Sequence, residues 1–227
     1  MIDTAFLSRF RLFAGLPPDR LSQVVDLLAE RHYDRGELVF QQGEPGRAVH
    51  FLREGRIKVY RLEADGRESI VRFFEPGEAF GLVVMLDGQP YPSTAEAVAP
   101  SRVWSMQVED FRRLQQELPS LFGQALGVVA SNLRAAQNRA HDLAVHGVHA
   151  RLSRFLLEEA RRRGRPSPDG WTLDLDLSRE DLAGLLGSAR ETVSRALADL
   201  RRTGAVQEGP GGTLLLSNRH LEPWLED

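Results

Sequence analysis

Residues 178–205 read S-R-E-D-L-A-G-L-L-G-S-A-R-E-T-V-S-R-A-L-A-D-L-R-R-T-G-A. Ser178, with Asp181 three positions on, has the pattern of a helix start: a hydroxyl to accept from a free backbone N–H, and a carboxylate near the positive end of the helix dipole. Leu182, Leu185 and Leu186 then make one apolar face. Gly187 interrupts it, and glycine takes positive φ without steric cost. A second helical pattern follows, with Val193, Leu197 and Leu200 inward, and runs out at Thr203-Gly204, where Gly204 is suited to end it. The expectation is two short helices about a tight glycine turn.

The second helix leaves Arg190, Glu191, Ser194 and Arg195 outside, across an arc of about 140° at 100° per residue. They cluster toward its N-terminal half, the part that a helix-turn-helix offers to base edges in the major groove. Arginine can fork onto guanine O6 and N7, and glutamate can accept from cytosine N4. Ser178, Arg179, Ser188, Arg201 and Arg202 surround them as candidate phosphate contacts. An ordinary pair of packed helices with a solvated charged face would share each feature singly. Their conjunction, with small Ala183, turn Gly187 and Val193 at helix-turn-helix spacing, favours DNA binding. Residues 206–216 then read as a β-hairpin with a Gly-Pro-Gly-Gly tip, which makes the unit a winged helix.

Upstream, Phe122, Leu126, Val129, Leu133, Ala136, Ala140 and Leu143 are spaced 4, 3, 4, 3, 4, 3. That is an a/d seam of three heptads, and the simplest partner for it is the same helix of a second copy. A long helix lying on its own β-domain is the alternative. Gly147 ends the seam; Leu152, Phe155, Leu156 and Ala160 start another amphipathic segment, and residues 161–166 read as a charged linker. Before the seam, from Tyr33 to Ser105, short β-branched and aromatic runs such as residues 56–62 are broken by glycine turns, among them Ala64-Asp65-Gly66-Arg67 and Glu75-Pro76-Gly77-Glu78. This punctuation predicts a β-sandwich or barrel.

Composition removes several classes. The 227 residues contain no cysteine, which excludes disulfides, thiolate zinc sites and cysteine-ligated iron–sulfur clusters. No apolar run approaches the roughly 18 residues of a membrane span, and residues 1–13 lack a signal peptide's continuous apolar stretch, so a cytoplasmic protein without membrane contact is expected. The net charge of -3 carries little weight, because DNA binding depends on local basic groups. The β region offers only His50 between Tyr33 and Ser105 and no H-x-H pair; no nucleophile elbow, P-loop or dinucleotide fingerprint is present, so neither an enzyme nor a metal site is expected.

From Phe10 onward the chain resembles the CRP/FNR family, the cyclic-AMP receptor protein and its anaerobic relatives; R-E-T-V-S-R at 190–195 is close to that family's recognition-helix motif. The resemblance implies an α+β protein: a double-stranded β-roll of the cyclic-nucleotide-binding kind (1–118), a dimerisation helix (119–146) and a winged-helix DNA-binding domain (147–227). It makes Arg190, Glu191 and Arg195 base readers at a two-fold symmetric site with TGTGA- or TTGA-like halves, and it implies DNA bending and contact with RNA polymerase. Ser194 resembles the anaerobic branch.

The family's phosphate cassette pairs a glutamate after glycine with an arginine before serine. Here Gly81 and Ser93 are kept, while Leu82 and Pro92 hold the two charged positions, and Ala136 and Gln137 stand at the adenine-contacting pair. Gly81, Leu82, Ser93 and Thr94 remain the candidate effector pocket. A buried cyclic phosphate with no cation to meet it is costly, so cyclic AMP is not expected and the regulator reads as working without it. The alternative is an effector-gated regulator that responds to a cyclic nucleotide or to a gas bound on haem, as the apolar cassette resembles that of nitric-oxide-responsive relatives. His32 or His50 would then be the axial ligand. His141, His146 and His149 read as solvent or phosphate contacts.

Overall fold

The computed structural model describes residues 3–64, 66 and 68–225. Cα packing divides them into two units, with the division between Ala135 and Ala136, inside the long helix and before Gly147.

The first unit opens with two helices, α1 (Thr4–Leu7) and α2 (Pro18–Asp26). Eight strands follow: β1 (Ala29–Tyr33), β2 (Leu38–Phe40), β3 (Ala48–Glu54), β4 (Ile57–Leu62), β5 (Glu68–Phe74), β6 (Ala79–Phe80), β7 (Thr94–Ala97) and β8 (Ser101–Gln107), with the short α3 (Val83–Asp87) between β6 and β7. They form two antiparallel sheets, β1-β8-β3-β6 and β2-β7-β4-β5, whose inner side chains share one core: Leu52 and Val103 from one, Ile57, Val59 and Ala95 from the other. The punctuation read from sequence is therefore a β-roll. Asp65 and Arg67 of the expected Asp-Gly turn lie outside the described residues, but β4 and β5 pair up to Leu62 and Glu68 on either side of it. The chain's single lysine, Lys58, is buried on β4; its ammonium meets Glu68 at 2.6 Å and Glu96 at 3.6 Å, which compensates the lost hydration. The N-terminal helices are a structural element that sequence patterning did not reveal. Phe6, Phe10 and Phe13 close the outer side of the roll against Phe51 and Trp104.

After α4 (Val108–Glu117), the long helix α5 runs over Ser120–Val145. One face lies on its own β-domain, the alternative read from sequence; the face read as the seam is exposed. Leu121 and Ala125 are fully buried in the roll's core, with Val128 and Val129 packed against it, while Phe122, Leu126 and Leu133 are 43%, 45% and 58% exposed. Ala136, Ala140 and Leu143 continue the exposed stripe. Val129, read as part of the seam, thus belongs in part to its own domain.

The second unit holds the end of α5 and α6 (Val148–Arg163), α7 (Arg179–Leu186), α8 (Arg190–Arg202) and α9 (Asn218–Leu221), with a sheet ordered β11-β12-β10-β9 from Val206–Glu208, Leu214–Ser217, Gly170–Leu173 and Arg165–Ser167. Residues 161–166 are not a linker. Arg162 and Arg163 stay helical, paired to the buried Glu159 at 3.3 and 2.8 Å, in the last turn where cations suit the helix dipole. The chain then enters β9 directly. Leu173, Leu214 and Leu216 cover a core of Leu152, Leu156, Leu182, Val193, Leu197 and Leu200.

Candidate nucleic-acid interface

Ser178 and Asp181 form the expected cap as a reciprocal pair: Asp181 N–H donates to Ser178 Oγ at 3.0 Å, and Ser178 N–H donates to Asp181 Oδ2 at 3.2 Å. The Ser178 hydroxyl also donates to Asp181 Oδ2 at 2.7 Å, so its hydrogen bonding is spent on the helix rather than left for a phosphate. Helix α7 ends at Gly187 with φ +55, the left-handed C-cap the turn requires. Helix α8 ends through Thr203 and Gly204, the latter with φ +77.

Val193, Ala196, Leu197 and Leu200 turn inward with at most 2% exposure. Arg190, Glu191, Ser194 and Arg195 are all exposed, as helical phase demanded. Neither Arg190 nor Glu191 has an ion pair among the described residues; Arg195 Nη2 reaches Thr192 Oγ1 at 3.5 Å. The N-cap of α8 is Ala189, which has no side chain to accept from the helix's first N–H groups. Those donors stay open at the end where an anion is favoured.

The surrounding cations divide into two sets. Arg179 lies near Arg201, and burial with that positive neighbour pushes the Arg179 guanidinium below its ordinary pKa while Glu208 opposes the shift. Arg201 itself pairs with Glu208 of β11 at 2.6 Å. Arg202 instead meets Asp199 at 3.1 Å. Asp199 also accepts from His149, whose ring stacks on Trp224 at 5.0 Å. Thus His149 packs against α8 with its side chain partly exposed, while His141 is exposed. The winged tip is as read: β11 and β12 pair antiparallel across residues 209–213.

Sequence reading missed Arg139. It lies on α5, and its guanidinium donates to the carbonyls of Leu185 and, at 3.4 Å, of Gly184, the unsatisfied C-terminal end of α7. Burial holds its pKa below the ordinary arginine value. No periodicity marks such a residue; its position on the helix is polar and unexceptional.

The first unit contains a cavity of about 180 Å³ whose lining includes Phe40, Phe74, Phe80, Gly81, Leu82 and Ser93, with Val59, Tyr91, Pro92, Val129 and Asn132 also in the wall. Three of the four candidate effector residues meet there. Thr94 does not: on β7 it alternates to the other side from Ser93, and its hydroxyl accepts from Gln42 N–H at 3.1 Å. Gly81 has φ +70, and a Cβ on it would stand 3.3 Å from the Tyr91 ring and 3.4 Å from the His50 ring.

Residues 30–117 match the cyclic nucleotide-binding domain and residues 150–222 the Crp-like helix-turn-helix domain. A CRP-like cAMP-activated global transcriptional regulator of Mycobacterium tuberculosis is 32% identical over 212 residues, 93% of this chain and 94% of that protein. The chain belongs to the CRP/FNR family of transcription regulators. A global nitrogen regulator of Synechococcus elongatus is 34% identical over 88% of each chain. The structure of FixK2 from Bradyrhizobium japonicum aligns with a TM-score of 0.76 at 27% identity, covering 87% of this chain and 96% of that one. CRP/FNR proteins act on transcription through a DNA-binding helix-turn-helix and are not enzymes. Among the described residues no helix is long and apolar enough to cross a membrane.

The CRP/FNR cassette fits neither of the two groups considered from sequence. At the charged positions Leu82 is 4% exposed within the wall and Pro92 lines it, so neither position offers a charged partner to a cyclic phosphate. Haem fares no better. His32 is exposed, and His50 is buried between the Phe40 and Phe80 rings at 5.3 and 5.2 Å, with Nε2 3.3 Å from the Tyr91 hydroxyl. A porphyrin is several times larger than the cavity beside it.

Proposed function

We propose that this CRP/FNR regulator works as a cytoplasmic homodimer on two-fold symmetric DNA sites and reaches its binding-competent state without cyclic AMP. Two α5 helices pair along Phe122, Leu126, Leu133, Ala136 and Ala140, with Val129 at the edge of the seam. The exposed apolar side chains on this stripe support that reading, since a surface helix seldom leaves three large apolar residues in heptad register uncovered. Each α8 enters a major groove, the two about one DNA turn apart. Arg190 and Arg195 fork onto guanines, Glu191 accepts from cytosine N4, and Ser194 sits at the same edge. Arg179, Ser188, Arg201 and Arg202 hold the flanking phosphates, with Arg201 and Arg202 exchanging Glu208 and Asp199 for the backbone. The open N-terminus of α8 takes a phosphate on its backbone donors. By family likeness, RNA polymerase is the second macromolecular partner.

The observation that carries this is the set of exposed, unpaired Arg190 and Glu191 beside an uncapped helix end. Fluorescence anisotropy of purified, ligand-free protein on a symmetric TGTGA-type duplex tests it. Binding at least 10³-fold tighter than on a scrambled duplex is expected, the lower end of ordinary specificity. It should be unchanged by millimolar cyclic AMP. Indiscriminate binding that becomes specific only with cyclic AMP would overturn the proposal.

A further inference from the structure

We infer that the β-roll cavity is a receptor site for a small, uncharged, largely apolar molecule carrying one hydrogen-bond acceptor. This rests on reading the first unit as the sensory half of the regulator. Size is the first argument. At about 180 Å³ the cavity is close to the roughly 150 Å³ that holds a benzene ring and well below the roughly 300–1,000 Å³ of sites for larger ligands. Its walls, from Phe40, Phe74, Phe80, Val59 and Leu82, suit a single ring.

Charge is the second argument. Among the described residues the wall has no lysine, arginine, aspartate or glutamate. Arg72, behind the wall, is already partnered: it pairs with Glu78, lies over the Phe74 ring at 4.2 Å, and donates Nη1 to Asn132 Oδ1 at 3.1 Å. That last bond fixes the Asn132 amide. With its oxygen occupied by Arg72, its Nδ2 is the group left to donate, and Asn132 lines the cavity. Ser93 adds a hydroxyl that is 9% exposed and has no hydrogen bond among the described residues. Tyr91 also lines the site, but its hydroxyl donates to the Ala48 carbonyl at 2.7 Å. Two side-chain polar groups not spent in this way, in an otherwise apolar wall, are the pattern of a site that orients a ligand rather than of a packing defect. The other nearby cation, Arg61, is exposed and not itself a lining residue; it donates Nε to the carbonyl of Pro92, which lines the site, at 3.0 Å. A ligand charge would therefore lose hydration inside with no charged lining residue to offset it.

The test uses the full-length protein and three probes of one shape: benzyl alcohol, benzoate and toluene, with cyclic AMP as a fourth, each followed by titration calorimetry. Benzyl alcohol is expected to bind at least tenfold more tightly than benzoate, and cyclic AMP not to bind. Val59→Phe fills the cavity and should abolish benzyl alcohol binding with thermal stability retained. Asn132→Leu should weaken benzyl alcohol several-fold while leaving toluene unchanged, a split that a merely structural role for Asn132 would not give. Benzoate or cyclic AMP binding better than benzyl alcohol, benzyl alcohol binding undiminished in a folded Val59→Phe variant, or no probe binding at all would each overturn the inference. Specific DNA binding measured on the same preparation stands or falls separately, so failure here is distinguishable from failure of the dimeric, cyclic-AMP-independent reading.

Discussion

The Cδ2 atom of Leu143 lies 2.8 Å from the point that a Cβ on Gly187 would occupy. One residue ends the exposed stripe of α5; the other is the turn of the helix-turn-helix. Gly187 is thus required twice, for its φ of +55 and for the room it leaves Leu143. Gly187→Ala should destabilise the protein by about 1–2 kcal/mol, chiefly through the left-handed backbone, because the end of a leucine side chain can move. Urea melts of Gly187→Ala with and without Leu143→Ala check this. The second change should recover only a minor part of the loss, and full recovery would show that packing, not φ, sets the glycine.

Glu191→Ala should cost roughly 1–3 kcal/mol at the specific site and almost nothing on random DNA, as a base reader does and a phosphate contact does not. The matched anisotropy titrations on cognate and scrambled duplexes decide it. An equal loss on both would remove Glu191 from base reading.

Leu126→Asp with Leu133→Asp should yield a folded monomer, since both side chains are about half exposed in the single chain. Sedimentation velocity should show one chain's mass, with far-UV circular dichroism unchanged. Val129 is unsuitable for this test because its side chain also packs on the roll. A persistent dimer would move the interface elsewhere.

Burial lowers the His50 pKa to about 3, against about 6.5 in an unfolded chain. Between those values the unfolded state binds more protons, so stability rises with pH. The contribution is fully present above pH 6.5 and is lost as pH falls toward 3, about 2 kcal/mol of it by pH 5. His50→Phe should flatten this dependence between pH 7.5 and 5 in urea melts, whatever it does to stability at neutral pH. An unaltered slope would show that His50 is charged or solvated when folded.

The helix-turn-helix was legible because every signal in 178–205 agrees: cap, apolar phase, turn glycine and final glycine all act within a few residues. The β-roll was legible as punctuation only. Its sheet order depends on pairings such as Ala29 with Ser105 that link distant residues, and no local pattern encodes them. The strand Arg165–Ser167 was hidden because arginine and proline have no strand propensity; it forms by pairing with Gly170–Leu173, whose own register is held by β12. Among candidate site residues, helical phase identified the exposed face of α8, whereas Thr94 required the strand's actual orientation and Arg139 required the meeting of two helices.

Arg139 and Leu143 also determine where this protein can be cut. A DNA-binding fragment begun at Gly147, where the sequence places the domain boundary, would lose the donor that satisfies the Gly184 and Leu185 carbonyls and the leucine seated at Gly187. Begun at Ala136, it would keep both. The last turns of the apparent dimer rod are, in folding terms, the first helix of the reading head.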